Sequence, residues 1–122
     1  MALEESLRSI SLPAAGDLSS SQYLFGKINS SGQVAVCPDG GKADGVIQND
    51  PAAAGRAVQL GIAGRSKIVA GGVVGAGDSV SCDASGRAVS VASGDYSLGT
   101  AVEAASAAGD VISIIFQPSN LN

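Results

Sequence analysis

Three aspartates in the second half of the chain that each follow a glycine are residues of this sequence that could do chemistry. They are Asp78, Asp95 and Asp110, each the third member of a small-Gly-Asp tripeptide. Grouped carboxylates would suit a calcium site or acid–base catalysis. An aspartate in a turn, however, commonly accepts hydrogen bonds from nearby backbone N–H groups. The turn position therefore favours a structural role for all three, and it predicts no catalytic residue.

The absence of histidine and the presence of only two cysteines restrict the remaining chemistry. Without an imidazole, serine–histidine and cysteine–histidine nucleophiles are excluded. Cys37 and Cys82 are too few for a disulfide scaffold and lack the partners of a structural zinc site. Both lie in apolar alternations, so we predict buried free thiols. The sequence thus favours a protein that is not an enzyme and has no metal or cofactor, with an unrecognised carboxylate site as the minor alternative.

The composition predicts one domain of ordinary size. The chain has 122 residues, 17 glycines and a formal net charge of −4. Its seven lysines and arginines are scattered, which disfavours nucleic-acid binding because that requires a concentrated positive surface. No apolar run approaches the roughly 20 residues of a membrane span, and the acidic start lacks the features of a secretory signal. We expect synthesis in the cytoplasm, with neither a membrane nor a nucleic acid as partner.

From Tyr23 onwards apolar residues alternate with small or polar ones, which is the period of a β-strand. The two strongest alternations place on one face Val58, Leu60 and Ile62, and then Ile112, Ile114 and Phe116. Turns rich in glycine, asparagine and aspartate separate the alternations at intervals of about ten residues. About eight or nine strands with almost no helix signal predict an all-β fold, a compact small barrel or sandwich.

The first 22 residues differ from the rest and are predicted to form an extended, flexible N-terminal arm. Leu3, Leu7 and Ile10 have a helical spacing, so one or two turns of helix are an alternative before Pro13. Because so short a helix is marginal in water, the segment is either a frayed terminus or an arm that becomes ordered against a partner. The predicted organisation is an arm at residues 1–22, a β-domain at residues 23–118 and a tail at residues 119–122.

Five motifs follow one another in a distinctive order in the second half of the chain. They are Ile68-Val-Ala-Gly-Gly72, Ala76-Gly-Asp78, Asp83-Ala-Ser-Gly-Arg-Ala88, Ser93-Gly-Asp-Tyr-Ser-Leu-Gly99 and Ala101-Val-Glu-Ala-Ala-Ser-Ala-Ala-Gly-Asp-Val-Ile112. Their order and spacing over residues 45–117 resemble those of the capsid decoration, or head cement, proteins of tailed bacteriophages. The resemblance implies a β-tulip-like structural protein of the virion. Such a protein binds the major capsid protein on the outer surface of the expanded head and stabilises contacts between capsomers.

Within that role we predict two contact regions. The apolar anchors of the arm on the capsid are predicted to be Leu3, Leu7, Ile10 and Leu12. The resemblance also implies self-association, as a homotrimer or a dimer, and the small side chains of Ala57, Gly61 and Ala63 are predicted to form its interface. Removing residues 1–20 would then leave a folded domain that no longer binds capsids. The alternative function is a β-domain of a phage tail, fibre or spike, which copy number per particle distinguishes.

Overall fold

The structure, a computed structural model, describes residues 5–118, which form nine β-strands and no helix. The strands are β1 (Glu5–Pro13), β2 (Phe25–Ile28), β3 (Val34–Val36), β4 (Gly45–Ile47), β5 (Ala57–Val69), β6 (Ser79–Cys82), β7 (Ala88–Ser90), β8 (Gly99–Ala101) and β9 (Val111–Phe116). They make one curled antiparallel sheet, a half-barrel, in the order β3-β2-β4-β5-β9-β8-β6-β7, with β1 added to β5. The predicted all-β fold is confirmed. No helix that could span a membrane occurs among the described residues.

The 13-residue strand β5 joins the two halves of the sheet. Leu60 pairs with both Ile10 of β1 and Ile47 of β4, and Arg65 pairs with both β1 and β9. Because a strand has only two edges, β1 must occupy one edge of β5, while β4 and β9 follow each other along the other. The first half of β5 therefore completes one group of strands, and its second half begins the next.

The two groups of strands repeat the same arrangement. From β2 to the middle of β5, each element recurs at a constant separation of 54 residues, as from Phe25 to Ser79. β1 recurs as the second half of β5 at a separation of 56 residues, as from Leu12 to Ile68, which pair with Val58 and Ile112 respectively. We call residues 5–62 the first unit and residues 63–116 the second unit. The fold is thus a tandem duplication, which the sequence analysis did not foresee.

Backbone hydrogen bonds follow the same equivalence. The N–H of Tyr23 donates to the carbonyl of Ile47 at 2.6 Å, and the N–H of its equivalent, Gly77, donates to the carbonyl of Ala101 at 2.7 Å. Both donors have a positive φ, 64° at Tyr23 and 87° at Gly77. A left-handed backbone is uncommon for a bulky residue, whereas glycine adopts it without steric cost. Tertiary contacts therefore hold Tyr23 in a conformation that glycine provides by itself in the second unit.

The two units fill their cores by exchanging large and small residues. Position 26 is glycine, and a Cβ placed there would lie 3.0 Å from Cγ1 of Ile47. In the second unit Val80 of β6 is the equivalent of Gly26, and Ala101 of β8 is the equivalent of Ile47. The larger side chain of the pair is therefore on β4 in the first unit and on β6 in the second. Both pairs are fully or almost fully buried. Conserving the total volume in this way keeps a core well packed.

The N-terminal segment is a strand and not a helix. Glu5–Pro13 pairs with β5, with register irregularities near Arg8. A Cβ added to Gly61 would meet Cδ1 of Leu7 at 3.0 Å, while Ile10 pairs with Leu60 and so shares its face of the sheet. Leu7 and Ile10 thus lie on opposite faces, whereas a helix would have placed them together. The helical alternative is wrong for residues 5–13, and Leu3 lies outside the described residues.

The chain that follows β1 belongs to the core of the first unit. Ala14 is 0 % exposed and Leu18 is 5 % exposed, and both pack with Val34 and Leu60. Removing residues 1–20 would take these side chains away and is expected to destabilise the domain. Single substitutions are therefore the better test of binding by this region. Whether residues 1–22 act as an arm depends on the partner, and that division stays a prediction.

Candidate functional site

The junction between the two units is formed by residues 23–25, which lie in a gap of the second unit. Its two flanking strands, the second half of β5 and β7, are joined within the described chain only by a bridge between Ala70 and Ala88. On one side of the gap the N–H of Val69 donates to the carbonyl of Tyr23 at 2.9 Å. On the other side the N–H of Phe25 donates to the carbonyl of Gly86 at 2.8 Å. We call this gap the second seam and residues 23–25 its plug.

The side chain of Phe25 enters the core of the second unit. It is fully buried, and its ring centroid lies 6.2 Å from that of Phe116 at an interplanar angle of 40°. A neighbouring loop adds a hydrogen bond from the N–H of Gly40 to the carbonyl of Cys82 at 2.9 Å. Tilted aromatic pairs at this separation are favourable beyond the area that they bury. The plug therefore closes the second unit with both backbone and side-chain contacts.

The first unit has an equivalent gap between β1 and β3, which we call the first seam. Within the described chain these two strands are joined only by a bridge between Ala14 and Val34. Beside the gap lies a group of apolar side chains, the seam patch, which consists of Ile10, Leu12, Ile28 and Ile62. Ile10 is 38 % exposed, and the other three are partly buried against the core of the first unit. No plug from the described residues closes this seam as residues 23–25 close the other.

The equivalents of the seam patch in the second unit are all buried. They are Ser66, Ile68, Cys82 and Phe116, each between 0 % and 3 % exposed. The difference follows from the plug, because residues 23–25 close the second seam and no described residue closes the first. Within the described chain, an apolar surface is therefore left beside the first seam.

The structure separates the residues that we predicted as contacts. Of the anchors, Ile10 is exposed, while Leu7 contacts Gly61 and Leu12 packs against the core of the first unit. Of the predicted oligomer interface, Ala57 and Ala63 are exposed, and Gly61 is buried. Ala57 and Ala63 pair with β1, so the β1 edge of this strand is already occupied within the chain.

The three aspartates of the Gly-Asp turns accept hydrogen bonds from backbone N–H groups, as their position predicted. The donors, in chain order, are the N–H groups of Gly75 at 2.9 Å, Ala92 at 3.4 Å and Ser106 at 3.0 Å. Within the described part of the chain, no cluster of three or more acidic or cysteine side chains could hold a metal ion, and no pocket is present. These carboxylates therefore stabilise their turns.

Replacing Asp110 by asparagine is expected to destabilise the protein at neutral pH and to have little effect in acid. Hydrogen bonds from the backbone and hydroxyl of Ser106, and from the backbone of Ala107, lower the pKa of Asp110 below its ordinary value of 3.8. A carboxyl whose pKa is lowered by folding stabilises the folded state above that ordinary value and loses this contribution as the pH falls through the folded-state pKa. Unfolding by urea between pH 7 and pH 2.5 measures the difference. A difference that stays constant over that range would exclude a role for the charge.

Both cysteines are buried and free, as predicted. The Sγ atom of Cys82 lies 2.8 Å from the carbonyl oxygen of Pro38, in the loop that packs on the second unit. A side-chain hydrogen bond with Cys82, together with burial, raises the pKa of Cys37. A thiol in this state is a poor nucleophile, because the reactive form is the thiolate. Cys37 therefore belongs to the packing of the junction.

The sequence analysis missed Tyr23 and Phe25 because it did not detect the duplication. The signals were present as short matches at the 54-residue spacing. They are Asn29-Ser-Ser-Gly32 with Asp83-Ala-Ser-Gly86, Gly45 with Gly99, and Ala53-Ala-Gly55 with Ala107-Ala-Gly109. All of them lie in turns or at close contacts, where few residue types fit, whereas the core positions have exchanged large and small side chains. These matches indicate the 54-residue spacing, but they do not show that residues 23–25 fill a gap in the second unit.

Comparison with known proteins gives one family and one fold. The family model of phage cement proteins matches residues 10–116. Among solved structures, the N base of the head fiber gp8.5 of bacteriophage phi29 is similar, with a TM-score of 0.72 and 19 % sequence identity over 95 % of this chain and 98 % of that chain. At this identity the likeness shows the fold alone. No curated protein sequence matches the chain.

Proposed function

The chain belongs to the phage cement protein family, and from this premise we propose that it binds the outer surface of the expanded phage head and stabilises contacts between capsomers. The match covers residues 10–116 and so includes both units and their junction. This coverage is the single observation that carries the proposal. Membership gives the chain a capsid-associated, structural role, and we propose that it has no catalytic activity.

The proposed partner is the major capsid protein, and the N-terminal strand contributes to the contact. Of the four predicted anchors, Ile10 has the most accessible described side chain, at 38 % exposure. Leu7 packs against Gly61 of β5, and Leu12 packs against the core of the first unit. Leu3 lies outside the described residues and stays a predicted contact. Many copies on a symmetric shell strengthen one another, because each bound copy holds neighbouring capsomers at high effective concentration.

Self-association as a homotrimer or a dimer is part of the proposal. The predicted interface has two exposed alanines, Ala57 and Ala63, on either side of the buried Gly61. Small side chains allow a second copy to approach closely. With β1 in place, Ala57 and Ala63 are the members of this set that a second copy can reach. Sedimentation equilibrium of the free protein measures the oligomeric state.

Co-sedimentation with the capsids of the phage that encodes this chain tests the function. Purified protein is mixed with unexpanded and with expanded capsids, and the bound fraction is measured against concentration. We expect saturable binding to the expanded form at hundreds of copies per particle, because a cement site is created by maturation of the shell. Absence of binding to both forms would contradict the proposal.

A fibre-type attachment is the second candidate, and one observation favours it. The fold is shared with the base of a head fiber, over 98 % of that chain. A fibre base and a cement protein both bind the head, but they differ in number and in position on the shell. Electron cryo-microscopy of the phage, with the copies counted per particle, separates them. A few dozen copies or fewer per particle would favour a fibre-type attachment over a cement protein.

A further inference from the structure

We infer that the first seam is a docking site for a short segment of the major capsid protein that carries an aromatic or long aliphatic side chain. The inference rests on the proposed function and adds to it the place of contact and the chemistry of the partner. It concerns the seam patch of Ile10, Leu12, Ile28 and Ile62, which is only partly covered in the described chain.

The second unit shows which kind of segment fits such a seam. There the plug is a turn at Tyr23 and Leu24 that leads into the first residue of β2, bonded to Val69 on one side and to Gly86 on the other, with the ring of Phe25 between them. Its side chain is fully buried, and Ile68, Cys82 and Phe116 in the same core are 0 % to 3 % exposed. Because the units have equivalent strands and registers, the first seam presents a similar opening. An apolar side chain inserted there covers the seam patch as Phe25 covers its equivalents.

A second copy of this chain is a poor occupant of the first seam. In a head-to-tail arrangement that repeats the internal junction, the plug would be residues 77–79 of the other copy. Those residues are Gly77, Asp78 and Ser79, where the first unit has Tyr23, Leu24 and Phe25. Ser79 would stand where Phe25 fills the second seam, and its short hydroxyl side chain would leave the apolar side chains of the seam patch uncovered.

The backbone of the first seam also restricts the partner. Pro13 stands where the second unit has Val69, and proline has no N–H to donate. The hydrogen bond from the N–H of Val69 to the carbonyl of Tyr23 in the second seam therefore has no counterpart at Pro13 in the first seam. On the other side, Gly32 is the equivalent of Gly86, whose carbonyl accepts from the plug at 2.8 Å. The partner segment is thus expected to donate an N–H to the carbonyl of Gly32 and to bind mainly through its apolar side chain. Within the described chain β1 pairs with β5 on one edge, which leaves its other edge beside this segment.

The first test compares two seam variants with a matched control in the co-sedimentation assay with expanded capsids. Ile10→Ser and Ile28→Ser remove apolar area from the seam patch. Ile115→Ser removes the same side chain at a similar exposure, 44 % against 38 % for Ile10, from β9 in the second unit. We expect the seam variants to bind capsids about tenfold more weakly or worse, and the control to bind within about twofold of wild type. Thermal unfolding of each variant verifies folding, and Ile10→Ser keeps the test decisive if Ile28→Ser is unstable.

The outcomes separate this inference from the proposed function. Equal binding by the wild type and the seam variants overturns the docking site and leaves capsid decoration intact. Equal loss in Ile115→Ser also overturns it, since the effect would not belong to the seam. A wild type that binds no capsid overturns the proposed function and the inference with it. If the free seam variants sediment differently from the free wild type but bind capsids equally well, the seam contacts a second copy of this chain. That outcome overturns the major capsid protein as its partner.

Cross-linking tests the chemistry of the partner directly. Because Cys37 and Cys82 are buried, a maleimide that carries a benzophenone reacts selectively with a cysteine placed on the surface. Ile10→Cys is labelled in this way, bound to expanded capsids, irradiated and digested, with Ile115→Cys as control. We expect adducts from position 10 on one short segment of the major capsid protein, next to an aromatic or long aliphatic residue. Adducts confined to this chain, or the same adducts from position 115, would overturn the inference.

Discussion

Phe25→Ala is expected to lower the free energy of unfolding by about 3–5 kcal/mol, the range for truncating a buried phenylalanine. The ring is fully buried and lies 6.2 Å from that of Phe116, so its loss leaves a cavity at the junction of the two units. Unfolding by urea, followed by circular dichroism because the chain has no tryptophan, measures the change. The junction couples the two units, so we also expect the transition to lose cooperativity.

Ile115→Ala is the control for this prediction. Ile115 is a large apolar residue of the second unit, but 44 % of its surface is exposed, so a much smaller loss is expected. If Phe25→Ala destabilised the protein no more than Ile115→Ala, the plug would not hold the units together. The interpretation of the first seam as an equivalent of the second that no described residue closes would then lose its physical basis.

Gly99→Ala is expected to destabilise the protein by about 1–3 kcal/mol or more, the usual range for overpacking a core. A Cβ at position 99 would collide with the carbonyl oxygen of Ile115 on the neighbouring strand. That atom belongs to the backbone and cannot move without disturbing the pairing of β8 with β9. The equivalent Gly45 faces the same obstacle, because its Cβ would lie 2.6 Å from the carbonyl oxygen of Gly61. Gly45→Ala should therefore cost a comparable amount, which urea unfolding measures.

Gly16→Ala and Gly72→Ala are the matched controls for the strand glycines. Nothing lies within 4 Å of a Cβ placed at either position, and the two are equivalents in the duplication. Such a change is expected to be neutral or to stabilise the protein by about 0.4–1 kcal/mol, because the unfolded chain loses freedom. Should all four variants behave alike, close packing would not be the reason for glycine at positions 45 and 99.

Much of the fold could be read from local patterns. The alternation of Val58, Leu60 and Ile62 placed their side chains towards a core, where the first two are fully buried and the third is partly buried. The turn position of Asp110 foretold that its carboxylate accepts backbone N–H groups. In both cases the cause lies within a few residues, since strand geometry and turn geometry set the direction of neighbouring side chains. The order of the Gly-Asp motifs was sufficient to suggest the family.

The N-terminal segment shows where local reasoning ends. The spacing of Leu7 and Ile10 suits a helix, but β5 offers an unpaired edge, and its buried Gly61 leaves room for Leu7 on one face. Pairing with a strand about fifty residues later in the chain outweighs a weak helical preference, because a short helix has little stability of its own. Local reasoning also did not show that β1 pairs with Ala57, Gly61 and Ala63, the residues of the predicted oligomer interface.

The sequence by itself determined the strand content, the turns, the buried free thiols and the resemblance to the family, because each depends on residue type and local spacing. Only the tertiary structure decided that the chain is a duplication, that Tyr23 takes the place of a glycine, and that Phe25 of the first unit fills the second. Compensating exchanges, such as Gly26 and Ile47 against Val80 and Ala101, hide the equivalence in the sequence while preserving the volume of the core. Within the described residues the first seam lacks such a plug, because residues 23–25 close only the second seam.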